Sequence, residues 1–297
     1  MFGLQRWQVE NTVKLIDEGN TIPFIARYRK EAHGTLDDQV LRELSEKLEY
    51  LRNLDKRREE ISASITAQEK MTPEIEAALE KASTLAEIED IYRPFRPKRR
   101  TRASIAKEKG LEPLADAIFA QVADSASPTE LAADYIDAEK GVEIVEDAIN
   151  GAMDIIAENI SDDADIRRRL RSLFTVAGVL QSRAADSEKE SVYTMYYEYD
   201  EPVNKIAGHR VLAVNRGENE GFLKVGIDVD RIKALNIINA NVLSDNGSAC
   251  TDTVRDAAAD AYDRLIFPSV EREIRNMITD SAVESALKVF YVNLREL

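Results

Sequence analysis

The stretch TLDDQVLRELSEKLEYLRNLDKRREEISASI, Thr35 to Ile65, decides the fold class. Leu41, Leu44, Leu48 and Leu51 recur at three- and four-residue steps, and Leu54, Ile61 and Ile65 continue the stripe. Glu43, Glu46, Lys47, Lys56 and Arg57 occupy the opposite face, as on a long amphipathic helix. Thr35 is placed to cap it, with Asp37 and Asp38 in a first turn whose dipole favours negative charge. Arg58 falls on the apolar seam and the spacing shifts at Leu54, so the helix belongs in a bundle rather than a coiled coil.

Outward from that helix the same grammar repeats. Trp7, Val9, Val13, Leu15 and Ile16 form a short apolar face that ends at Gly19, and a second short helix runs from Phe24 to Glu31 until Gly34 closes it. Thr72-Pro73 is a cap followed by proline at the first helical position. Thr84 to Glu87 and Ser127 to Glu130 match the capping-box pattern. Helices are predicted over Gly141 to Ile160 and Ser161 to Thr175, and again from Ala249 to the last residue with a break at Pro268. Between them lies a polar, tyrosine-rich connector, Val179 to Pro202. The alternation of Phe222, Val225, Ile227 and Val229 marks a single short strand near 221–229. The expectation is a mostly all-α multi-helix bundle with that one small β element, divided into a helical domain over 1–205 and a smaller helical subdomain over 206–297.

Composition narrows the function. Of 297 residues, 44% are hydrophobic and 32% charged, as in a folded globular chain, and the net charge of −15 repels nucleic acid and anionic membranes at long range. Nucleic-acid contact therefore requires a local basic patch. One lone cysteine, Cys250, leaves no disulfide framework and fits a reducing compartment. Met1 to Asn11 has no apolar core of a signal peptide, and no run approaches the ~18 apolar residues of a membrane helix. The expected location is cytoplasmic, with no membrane partner.

The local patch exists. RPFRPKRRTRASIAKEK, Arg93 to Lys109, holds Arg93, Arg96, Lys98, Arg99, Arg100, Arg102, Lys107 and Lys109 against the single acid Glu108. Pro94 and Pro97 keep its start extended. The residues that follow, Ala106, Gly110, Leu111, Leu114 and Ala117, have helix-turn-helix spacing, which many helical hairpins share. Two roles suit the run: contact with phosphates, or an internal clamp on the segment Asp124 to Ile166, which has thirteen acids and one base. A second cluster, Arg167, Arg168, Arg169 and Arg171, sits in a helix where local ion pairing is expected.

Catalysis finds no foothold in the residues. His33 and His209 are far apart, no P-loop, G-x-S-x-G or CxxC pair occurs, and acidic pairs such as Asp162-Asp163 stand at helix starts. No metal and no cofactor are expected.

Six stretches together resemble one family: TIPFIARYRKE (Thr21 to Glu31), EDIYRPFRPKRRT (Glu89 to Thr101), IAKEKGLEPLAD (Ile105 to Asp116), DAEKGV (Asp137 to Val142), YEYDEP (Tyr197 to Pro202) and GHRVLAVNRGENEG (Gly208 to Gly221). In this order they resemble the N-terminal helical region of the Tex-like bacterial transcription accessory proteins. The resemblance implies a non-catalytic scaffold that contacts RNA or DNA, followed in the family by an RNase H-like (YqgF) domain, helix-hairpin-helix modules and an S1 domain. It implies weak nucleic-acid binding without the S1 domain; the alternative reading is a protein-interaction scaffold that docks the downstream domains or RNA polymerase without direct nucleic-acid contact. The helix that is still amphipathic at Phe290, Tyr291 and Leu294 is expected to meet such a downstream surface.

Overall fold

The computed structural model describes residues 3–96 and 100–296, the last six as backbone only. It is mostly helical with one small sheet, and it divides by compactness into Met1–Phe95 and Arg96–Leu297.

In the first unit, α1 (Arg6–Asp17), α2 (Ile22–Tyr28) and α3 (Lys30–His33) precede the long α4 (Asp38–Ala67), and α5 (Pro73–Lys81) and α6 (Leu85–Tyr92) follow. The α4 stripe serves two sets of neighbours. Leu41 and Leu44 are buried on the part of α4 that meets α2, while Leu54, Ile61 and Ile65 pack with Leu79, Ala82 and Ile88. Between these sets Leu51 faces water, just before the shift in spacing at Leu54. Arg58 lies on the seam for a reason the sequence hid. Its Nε and Nη2 donate to the carbonyls of Leu79 and Ala82 at 2.9 Å each, satisfying orphan acceptors at the end of α5. The capping boxes at Thr84 and Ser127 form as expected. Thr35 does not cap α4: it sits at φ 59°, and Asp37 Oδ1 accepts from the Gln39 N–H at 2.8 Å instead.

In the second unit, α7 (Arg102–Glu108), α8 (Glu112–Ala120) and α9 (Pro128–Ala132) pack on α10 (Val145–Asp162), which α11 (Ala164–Ala177) follows. Then come β1 (Val179–Ala184), β2 (Glu198–Pro202), α12 (Gly208–Asn219), β3 (Leu223–Asp228), α13 (Arg231–Val242), α14 (Thr251–Asp260) and α15 (Phe267–Glu296). Ala148, Ala152, Ile155 and Ile156 of α10 are buried between Ala106, Leu111 and Leu114 on one side and Val254, Ala257 and Ala261 on the other.

The sheet is antiparallel in the order β2-β1-β3, with Leu180 opposite both Glu201 and Ile227. Only β3 was expected. In β1 the inward positions are Leu180 and a buried Ser182, so alternation of hydrophobicity is lost. In β2 the outward Glu198 and Asp200 hide the strand behind acids. The outer edge of β3 is closed by α15: Arg275 Nη1 donates to the Val225 carbonyl at 2.9 Å, and the Glu271 carboxylate lies beside the Ile227 N–H. Burial raises the Glu271 pKa above the ordinary carboxylate value, and Arg275 and the Ile227 N–H offset this only in part.

Two further expectations change. Val203 shares a core with Ile227 and Ile266, and Leu180 shares one with Val214, so the residues around 205/206 do not part into separate cores; the compact division comes after Phe95. Pro268 does not break the last helix. The turn before it, Ala261–Ile266, is π-helical, and this wider turn contains the carbonyl of Arg264, with which the proline ring would otherwise clash. Along α15, Val283, Leu287 and Phe290 are exposed, Phe290 to 57%; Tyr291 and Leu294 lie outside the described side chains.

Candidate nucleic-acid interface

The basic run is split between the two units. Arg93 closes the first, in a 3-10 turn over Arg93–Phe95, and Arg96 opens the second. Both have interaction partners. Lys98 and Arg99 lie outside the described residues. From Arg100 onward the run is built on α7. Thr101 and Ser104 form a reciprocal cap, Thr101 N donating to Ser104 Oγ at 2.8 Å and Ser104 N to Thr101 Oγ1 at 3.0 Å. This fixes the chain direction where Arg100 and Arg102 emerge.

Where helix-turn-helix spacing was read, two short helices follow one another across a turn. Gly110, at φ 84°, makes the turn, and α7 and α8 seat on α10 through Ala103, Ala106, Leu111, Leu114, Ala115 and Ile118. Ala117, expected among the seating residues, is exposed, one position away from the true apolar face. At the seat, Leu111 lies over Gly151 of α10: a Cβ there would stand 2.3 Å from Leu111 Cδ1. The basic side chains therefore project from a hairpin held by close packing.

Their pairing is local and wet. The Arg100 side chain is 73% exposed and reaches Glu108 at 3.4 Å, and Lys107 bonds Glu112 at 2.6 Å. Such exposed pairs are worth about 0–1 kcal/mol each, so a phosphate can replace the carboxylate at little cost. Arg102 is exposed and makes no direct ion pair among the described residues; its charge acts on Asp154 at longer range. Lys109 Nζ donates to the Gly141 carbonyl at 2.7 Å.

Six of the thirteen acids of 124–166 have partners outside the basic run. Glu130, Asp147 and Asp163 accept from backbone N–H groups at helix starts, Asp137 binds Lys140, and Asp165 takes Arg168 and Arg169. Asp154 binds Arg264 at 2.9 Å; burial raises its carboxyl above the ordinary value, with Arg264 and then Arg102 opposing. Lys109 thus clamps a backbone carbonyl in this segment rather than an acid.

The second arginine cluster is structural. Arg168 and Arg169 pair locally as expected, whereas the fully buried Arg167 and its neighbour Arg171 reach across to Glu273 of α15, with Ser269 also accepting from Arg167. That long-range tie has no signature in local spacing. His33 is buried: its Nδ1 accepts from the Leu36 N–H at 3.0 Å, which makes Nε2 the donor to the Ile25 carbonyl at 3.2 Å. His209 is exposed in the first turn of α12, and Cys250 is buried with no partner cysteine. Among the described residues no group of three or more His, Cys, Asp or Glu is arranged to hold a metal ion, and no helix is long and apolar enough to cross a membrane.

Comparison with known proteins matches residues 1–66 to the Tex-like protein N-terminal domain and residues 123–290 to the Tex central region. The chain is 42% identical over 300 residues to the uncharacterized protein YdcI of Bacillus subtilis, covering 99% of this chain and 41% of that one. It is 36% identical over 305 residues to the transcriptional accessory protein Tex of Neisseria gonorrhoeae, covering 98% and 39%. It is 28% identical over 309 residues to the human S1 RNA-binding domain-containing protein 1, covering 99% and 31%. The chain thus spans about two fifths of the length of these bacterial relatives.

Proposed function

Since this chain belongs to the Tex family, we propose that it is a non-catalytic helical scaffold and nucleic-acid-contacting module of a cytoplasmic transcription accessory protein. RNA or DNA is contacted through Arg93, Arg96, Lys98, Arg99, Arg100, Arg102, Lys107 and Lys109. The observation that carries this reading is that Arg100 and Arg102 stand exposed beside the reciprocal Thr101–Ser104 cap, Arg100 with one exposed acidic partner, while Asp137, Asp154, Asp163 and Asp165 of the acidic segment bind groups outside the basic run.

Affinity from such a site comes mainly from release of counterions, so it falls steeply with salt. The test is a salt titration of binding to labelled single- and double-stranded RNA and DNA. Arg100→Ala with Arg102→Ala is expected to flatten the slope of log K against log salt by up to about 2 units on duplex DNA, about one for each phosphate no longer neutralised. Unchanged binding with a lowered melting temperature would refute the reading and restore the internal clamp.

A second reading is favoured by the exposed Val283, Leu287 and Phe290 on one face of α15. In it the chain is a protein-interaction scaffold that docks further domains of the full-length protein, or RNA polymerase, without touching nucleic acid.

A further inference from the structure

The segment Phe24–His33 carries a surface that the basic run does not use. Phe24 and Tyr28 stand one helical turn apart on α2 with ring centroids 5.2 Å apart, and both are exposed, Tyr28 to 63%. The Arg29 guanidinium lies 5.4 Å from the Phe24 ring centroid. Arg27, Arg29 and Lys30 are exposed, and none has an acidic partner among the described residues. Glu31 is the single acid between Phe24 and His33. In a chain of net charge −15, three cations with no acidic partner among the described residues thus gather around two exposed aromatic rings, Tyr28 the more open of the two.

The support beneath is firm. Ile25 is fully buried, and its carbonyl accepts from both the Arg29 N–H at 3.0 Å and the His33 ring at 3.2 Å. His33 in turn receives the Leu36 N–H. These bonds hold the break at Arg29 between α2 and α3, so that the aromatic and cationic side chains remain on the outside.

We propose that the α2–α3 surface formed by Phe24, Tyr28, Arg27, Arg29 and Lys30 is a stacking site for single-stranded nucleic acid. Aromatic faces flanked by cations bind successive bases and the phosphates between them with little sequence preference. A duplex does not fit, because its base faces are already covered by their neighbours. The site lies wholly in the first unit and stands whether or not the basic run from Arg93 to Lys109 binds.

The test measures binding of the whole chain to a fluorescein-labelled oligouridine and to an abasic strand of the same length. Phe24→Leu with Tyr28→Leu keeps apolar bulk and is expected to weaken oligouridine binding roughly 5- to 100-fold while leaving the abasic strand within about twofold. Arg27→Ala, Arg29→Ala and Lys30→Ala together are expected to flatten the salt slope on both strands by up to about 2 units. Should the double Leu variant fail to fold, Tyr28→Leu alone carries the test, since that ring is mostly outside the core. No oligouridine binding by the wild type, an equal loss on both strands, or a loss under about twofold on oligouridine would overturn the proposal. Displacement of oligouridine by polyglutamate at matched charge would also overturn it and mark a face for acidic protein. If Arg100→Ala with Arg102→Ala removes all binding while the Leu variant matches the wild type, this inference fails and the basic run stands. If the Leu variant loses oligouridine while the Arg100→Ala, Arg102→Ala variant binds like the wild type, the stacking site stands and the basic run fails.

Discussion

Gly151→Ala inverts the usual expectation for a glycine inside a helix. Removing glycine from a helix interior ordinarily stabilises by about 0.8–1.0 kcal/mol. At this position the added methyl would stand 2.3 Å from Leu111 Cδ1, with Ala106 Cβ only 3.4 Å away. Leu111 is 1% exposed and lies among the residues that seat α7 and α8, so it has little room to turn aside. Overpacking of such a core costs about 1–3 kcal/mol. Setting that against the helix gain leaves a net destabilisation of about 0–2 kcal/mol. Urea denaturation followed by circular dichroism reads it as a lower midpoint at constant m. A double-mutant cycle isolates the cause. Leu111→Ala alone costs about 2–5 kcal/mol, and in the Gly151→Ala background the methyl occupies part of the vacated space, so the two changes couple favourably by at least about 0.5 kcal/mol. A stabilised Gly151→Ala, or additive changes, would refute the claim that α7 and α8 are held by close approach at this glycine.

The remaining predictions concern polar ties. Glu273→Ala leaves the buried Arg167 and its neighbour Arg171 without their shared carboxylate and is expected to cost up to about 3–5 kcal/mol; a loss under about 1 kcal/mol in urea would show that the α11–α15 tie is dispensable. The Ser83 backbone N–H foremost, with Ser83 Oγ and the Thr84 cap, holds the Glu87 carboxyl below its ordinary range. A depressed carboxylate contributes stability that is complete above the unfolded pKa of about 4.3 and is lost as pH falls through the folded value. The melting-temperature gap between wild type and Glu87→Gln is therefore expected to be widest near neutrality and to narrow below about pH 4.3; a gap that widens in acid would contradict the cap.

What the sequence disclosed follows the range of the forces involved. Caps, glycine stops and apolar stripes are local, and α1, α5, α6 and the hairpin at Gly110 stand where those signals put them. The strands β1 and β2 escaped because a strand is defined by partners far along the chain, and here a serine and acids occupy the positions that alternation would mark. Arg58 and Arg167 looked like faults or surface charge because their acceptors lie in other elements. The basic run was conspicuous in composition. The Phe24–Tyr28 surface was not: its residues also suit a core helix, and only exposure separates the two roles.

The closure of the β3 edge by α15 has a mechanical consequence. Arg275 and Glu271 act as two pegs one helical turn apart, set against neighbouring slots of the same strand. An axial slide or a roll of α15 would withdraw both pegs together and strip an edge strand of its lateral cover. The helix is therefore registered against the edge of the sheet at two neighbouring points.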